Sequence, residues 1–144
     1  MSEKAIAEAR YRPGHGKQPV FLFSSEEVDK VIDDLLTGPE DQNLAELYSL
    51  KRDLLPSGFP DHSFMIGVDR GRSVGLVSFS DSGGSFVTVG EPGGNPEFGY
   101  LMAGHHTEFE IDSEIPLALV REASRQFLAT GGRRPTCVEW QTQI

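Results

Sequence analysis

The run SFMIGVDRGRSVGLVSFSDSGGSFVTV, residues 63–89, constrains this chain more than any other stretch. Ser63–Asp69 and residues 73–80 flank a short turn at Arg70, Gly71 and Arg72, and residues 85–89 follow the turn DSGG. Connections this short join only antiparallel neighbours, because a parallel pair needs a crossover of a dozen or more residues. Three strands therefore read as a meander, and the remaining segments have to extend it or cover it.

Covering elements are legible on both sides of the meander. SSEEVDKVIDDLL places Ser24 as an N-cap with Glu27 three residues later, ahead of a stripe of Val28, Val31, Ile32 and Leu35, which predicts a helix ended by Gly38 and Pro39. A second helix is expected to open within residues 113–116, with Ile115, Leu119, Val120, Ala123, Phe127 and Leu128 as its apolar stripe and Gly131 and Gly132 as its stop. Residues 43–55 are ambiguous: Leu44, Leu47, Leu50 and Leu54 fit a helix loosely, whereas Ala45 and Leu47 alternating with Glu46 and Tyr48 fit a strand. Periodicity alone leans towards the helix. Pro56, Gly58 and Pro60 then break the chain. Residues 97–102 and 105–110 read as a further hairpin around Ala103 and Gly104, and residues 136–141 as a closing strand. Residues 18–23 are short and apolar, and residues 1–17 read as polar and loosely tethered. The expectation is an α+β fold: one domain over residues 18–144, with a mostly antiparallel sheet of about five or six strands and two helices packed on one face.

Charge narrows the function classes. With 13 Lys and Arg against 22 Asp and Glu, the chain carries a formal charge of -9. That balance argues against direct nucleic-acid binding, which draws its affinity from clustered Lys and Arg, and against an anionic membrane surface. It favours steered encounter with a basic partner. Cys137 is the only cysteine, so neither an intramolecular disulfide nor a Cys-rich zinc module is expected. The first residues carry no apolar leader-like run, and the simplest setting is a reducing cytoplasm.

The acids cluster in HHTEFEIDSEIP, residues 105–116, where Glu108, Glu110, Asp112 and Glu114 fall within seven residues. On a strand, His105, Thr107 and Phe109 would face one way and His106, Glu108 and Glu110 the other, so the two histidines cannot share one ion. His106, Glu108 and Glu110 remain as a conceivable metal set for a small metal-dependent enzyme, without the helical HExxH spacing that catalytic zinc commonly uses. The stretch reads otherwise as a solvated strand face, or as a row of acids presented to a cationic partner. In the tail, alternation puts Trp140 with Thr136 and Val138 on a core-facing side, beneath a helix. Glu139 is on the other side, where strand order decides whether it joins Glu108 or Glu110.

No enzyme signature emerges. One cysteine cannot supply the P-C-x-x-C of a zinc deaminase, no G-x-S-x-G elbow occurs, and GEPGGNP, residues 90–96, lacks the Lys-Ser/Thr of a phosphate loop and reads as a long hairpin loop. His62 reads as a turn or edge hydrogen-bonder rather than a base. Arg133 and Arg134 suit the negative end of the second helix. No cofactor is expected.

The segments SGFPDHSFMIGVD, GYLMAGHHTEFE and SEIPLALVREASRQFLATGGRRPTCVEWQ, spanning roughly residues 56–141, resemble the immunity protein 1 family of bacterial polymorphic toxin systems. The residues that carry the resemblance are Ser113-Glu114-Ile115-Pro116, Phe127-Leu128, Arg134-Pro135 and Glu139-Trp140. It implies a non-catalytic α+β protein encoded beside a toxin, often one with a deaminase-fold domain, which it binds and silences; it also implies a strand at residues 45–50. The physical reading and the resemblance meet in one expectation. Glu108, Glu110, Asp112, Glu114 and Glu139 face the Lys and Arg of a toxin's substrate groove, while Tyr100 and Phe109 supply the packing that slows dissociation.

Overall fold

The computed structural model describes residues 4–92 and 99–143. In chain order its strands and α-helices are β1 (Ala7–Arg10), β2 (Val20–Leu22), α1 (Val28–Thr37), β3 (Leu44–Ser49), β4 (Ser63–Asp69), β5 (Val74–Asp81), β6 (Gly84–Thr88), β7 (Tyr100–Met102), β8 (His105–Thr107), β9 (Ile115–Pro116), α2 (Leu117–Ala129) and β10 (Trp140–Thr142). The meander β4-β5-β6 forms as its turns require. Around it grows a sheet ordered β10-β6-β5-β4-β3-β1-β2, with β9 pairing β5 off that path, eight strands in all among the described residues. Every pairing is antiparallel.

Ten strands among the described residues exceed the expected five or six, and two of them, β1 and β9, fall where no strand was expected. Within residues 4–17 the expected loose arm holds a strand: β1 sits between β2 and β3, with Ala7 and Ala9 fully buried beneath the helices. Tyr11 follows it into the core and donates a hydrogen bond to Asp34 of α1 at 2.7 Å, and the Arg12 guanidinium donates to the Asp34 carbonyl at the helix C-terminus. Residues 115–116 pair with β5 as β9 before α2 begins, so the second helix starts at Leu117.

Both helices cover one face. Val28, Val31, Ile32 and Leu35 of α1 and Val120, Ala123, Phe127 and Leu128 of α2 share a core with Ala45, Leu47, Phe64, Ile66, Val68, Val77 and Phe79 of the sheet. Phe64 and Phe127 stack at 4.2 Å between ring centroids. Burying side chains of this size stabilises the fold by about 1.5–3 kcal/mol each. Arg121 and Arg125 of α2 reach across to Asp29 of α1, and Arg121 also pairs with Asp33 at 2.6 Å, so the helices are tied by charge as well as by packing. Trp140 packs against this same core and donates to the Pro135 carbonyl.

The first half of the ambiguous segment is a strand, β3, and the remainder is turn and loop. Leu44 and Leu47 point to opposite faces and both are fully buried, because the far face of the sheet is covered too. The closing strand starts late, at Trp140 rather than Thr136, because Gln126 of α2 accepts from the amides of Thr136 and Cys137 and removes both from a ladder. Residues 93–98, which hold most of the GEPGGNP loop and the start of the expected 97–102 strand, lie outside the described residues. Among those described, no helix is long and apolar enough to cross a membrane.

Candidate partner-binding site

The face opposite the helices carries the acidic segment. β7 and β8 form a separate two-stranded hairpin that lies across it. What admits the hairpin is the missing side chain at Gly67 of β4: a Cβ there would stand 2.6 Å from the Tyr100 ring. Tyr100 is buried on that spot and forms a second, small core with Leu44, Leu76 and Val87, against which Phe109 packs. Asn43 holds the hairpin in register, its amide donating to the carbonyls of Val68 and Gly99 and its oxygen accepting from the Leu101 amide at 2.8 Å.

β8 stops at Thr107, shorter than the expected strand over residues 105–110, because β7 offers three residues and Thr107 is paired with its first. The chain then crosses towards β6. Asp112 takes a left-handed φ of 62°, and its carbonyl accepts the Gly90 amide at 2.6 Å. The neighbouring Val89 amide donates to the Glu139 carbonyl at 3.0 Å. Consecutive amides, Val89 and Gly90, thus tie the Glu139 and Asp112 segments to the end of β6. Gly90 has to be glycine here, since a Cβ would meet the Glu114 carbonyl at 1.5 Å. The Thr88 hydroxyl donates to the Ser113 carbonyl at 2.7 Å and fastens the crossing to the sheet.

The seven expected contact residues divide by depth. Glu108 and Glu139 are exposed, while Glu110, Asp112 and Phe109 are half-buried, with Glu110 and Asp112 making further interactions of their own. Tyr100 and Glu114 are inside. Glu114 is 7 % exposed; its Oε2 accepts from Arg72 Nη2 at 2.6 Å and from the Tyr100 hydroxyl at 2.5 Å. Burial, then the bond to Glu114, pushes the Tyr100 phenol well above its ordinary range, so it stays a donor. Tyr100 cannot be a surface anchor, and Glu114 is not part of an exposed acidic row. Phe109 meets Tyr100 edge to face at 5.9 Å.

The exposed apolar residues of this face were not read as contacts from the chain. Ile111 is 66 % exposed between Glu110 and Asp112, and Val89 is 36 % exposed beside Glu139. A second apolar group, Leu54 and Phe59, projects from the loop between β3 and β4, where LLPSGFP shows only chain-breaking residues. No group of three His, Cys, Asp or Glu among the described residues is placed to hold a metal ion, and His106, Glu108 and Glu110 do not converge on one.

His62 lies elsewhere and is buried. Its Nδ1–H donates to Asp61 at 2.8 Å and its Nε2 accepts the Ser49 amide at 2.8 Å. Burial holds its pKa below the ordinary value, partly offset by Asp61. The lone pair a base would use is taken by an amide, so the ring is a structural bridge. Arg134 lies over the Phe86 ring at 4.3 Å.

A family model described as Immunity protein Imm1 matches residues 16–142. No curated protein matches the chain. The matched span runs from before β2 to the end of β10 and takes in both helices and the whole acidic crossing, and on that extent the chain belongs to the Imm1 immunity protein family.

Proposed function

We propose that the protein binds and neutralises a cognate toxin whose active domain has a deaminase-type fold and acts on nucleic acid, and that it does so by covering the toxin's basic substrate groove. The family supports an immunity role and a toxin partner. The observation that carries the mode of binding is that two exposed apolar residues adjoin acids, Ile111 between Glu110 and Asp112 in the chain and Val89 hydrogen-bonded to Glu139. A groove that takes up a polynucleotide is lined with Lys and Arg, and carboxylates at this edge meet them in place of phosphates. Charge of this kind accelerates encounter, whereas an apolar side chain seated between the charges slows release. The inhibition takes place in the cytoplasm of the producing cell.

The test is co-expression with the toxin domain encoded by the neighbouring gene, together with stopped-flow association of the purified pair. Replacing Glu108, Glu110 and Glu139 by Lys, with Asp112→Asn because Asn tolerates the left-handed backbone, is expected to lower the association rate on the order of 10–100-fold and flatten its salt dependence. Unchanged protection and an unchanged rate would show that another surface meets the toxin.

A further inference from the structure

Between the β7–β8 hairpin and the sheet lies a cavity of about 190 Å³. It is several times the roughly 30 Å³ that a water occupies in the liquid. Its walls include Leu76, Tyr100 and Phe109, its rim His106, Glu108 and Glu110, and Glu114 contributes to its lining. Glu114 is engaged on one side only. Arg72 and Tyr100 both donate to Oε2, while Oε1 is buried and has no hydrogen-bond partner. A buried carboxylate oxygen left without a donor is costly, and the cost is recovered when a donor arrives.

We propose that this cavity receives one basic side chain of the toxin, a lysine or arginine, whose terminal N–H is accepted by Glu114 Oε1 as the carboxylate, closed to water in the free protein, turns towards the cavity. The inference rests on the immunity reading above and names the chemistry of its partner. Three features select the guest. The carboxylates of Glu108, Glu110 and Glu114 repel an anion, so phosphate and carboxylate groups are excluded. The aromatic and aliphatic walls suit a methylene stem, and aromatic faces attract the cationic head. The unpaired oxygen requires a donor, which an apolar side chain lacks. Arg72 does not compete, because its guanidinium is committed to Oε2 and to Asp69 at 2.8 Å. Glu114, unavailable as a surface acid, becomes the inner end of a receptor behind the acidic edge, and the toxin residue that enters it exchanges water for protein contacts, as binding hot spots do.

Two variants separate this from a structural role. Glu114→Gln removes the charge and keeps the shape; Thr107→Tyr fills the cavity and leaves Glu114 and its partners intact. Thermal melts establish that each is folded, and the second serves if the first is not. Affinity for the neighbouring gene's toxin domain is expected to fall about 100-fold in either variant, mainly through faster dissociation. In the isolated protein, n-butylguanidinium is expected to shift the Tyr100, Thr107 and Phe109 amides in NMR spectra, an effect weakened at least tenfold in Glu114→Gln. Full toxin affinity in both folded variants, beside tight binding by the wild type, overturns the cavity proposal and leaves the immunity reading standing, even where the small guanidinium binds. A wild-type protein that neither binds the toxin nor protects against it overturns both.

Discussion

At the residue scale, two side-chain environments translate directly into measurable stability. Gly67 is the seat of the Tyr100 ring, and a Cβ would lie 2.6 Å from it, inside any permitted contact. Gly67→Ala is therefore expected to displace the hairpin and destabilise the protein by about 1–3 kcal/mol in chemical denaturation. A variant as stable as the wild type would mean that the ring yields freely. His62 supplies a pH dependence. Its folded pKa is depressed by burial, so above the unfolded value of about 6.5 the ring is neutral in both states and stability is complete. Below about 6.5 the unfolded chain binds a proton that the folded one resists, and stability falls with a slope of at most roughly 1.4 kcal/mol per pH unit. Asp61 acts lower still: the hydrogen bonds from Arg52 and His62 outweigh its desolvation and hold its pKa below the ordinary value, so its contribution is lost only as pH falls beneath that value. Melting temperatures between pH 5 and 8 are expected to fall towards acid in the wild type and to flatten in His62→Gln; a flat wild-type curve would contradict the buried neutral ring.

The elements differ in how plainly the chain announces them, and burial explains why. α1 and α2 were legible because each buries one stripe at helical spacing. β3 misled periodicity because the hairpin covers one face of it and the helices the other, so Leu44 and Leu47 are both interior and the alternation of a half-buried strand disappears. β1 escaped notice because its inward residues, Ala7 and Ala9, are too small to stand out beside Glu8 and Arg10. The acidic crossing could be read as a cluster, but not the burial of Glu114, which depends on Arg72, remote in sequence and placed by the β4–β5 turn. Because β1 is hydrogen-bonded on both sides, to β2 and to β3, removing residues 1–11 breaks two ladders at once. Such a truncation is expected to lose its cooperative thermal transition by calorimetry, and a melt within a few degrees of the full chain would refute the assignment. Gln126 anchors the tail as β1 anchors the front. Gln126→Ala leaves the Thr136 and Cys137 amides without their acceptor and is expected to cost about 1–3 kcal/mol, whereas Gln126→Glu retains the acceptor and costs less.

On the scale of the whole molecule, the sheet is a partition with different tasks on its two sides. One face is sealed by both helices and carries the main core; the other is sealed by a small hairpin, and its acidic continuation leaves Ile111 and Val89 uncovered. The edge strands β2 and β10 are three residues each, which limits edge-to-edge association of the free protein. Around this frame, 22 acidic residues against 13 basic ones set a net charge of -9, and a field of that sign acts before contact, over the Debye length of about 10 Å at 0.1 M salt. Contact itself is governed by what is desolvated at the centre of the interface. The two contributions separate experimentally. Raising salt from 50 to 500 mM is expected to lower the association rate with the toxin domain by roughly tenfold or more while leaving dissociation nearly unchanged. Ile111→Ala is expected to do the converse, raising the dissociation rate about tenfold at constant association rate, because its side chain carries no charge and is already exposed in the free protein. If Ile111→Ala leaves the dissociation rate at its wild-type value, the long-lived contact belongs to another apolar group, and Leu54 and Phe59 on the β3–β4 loop become the residues to substitute.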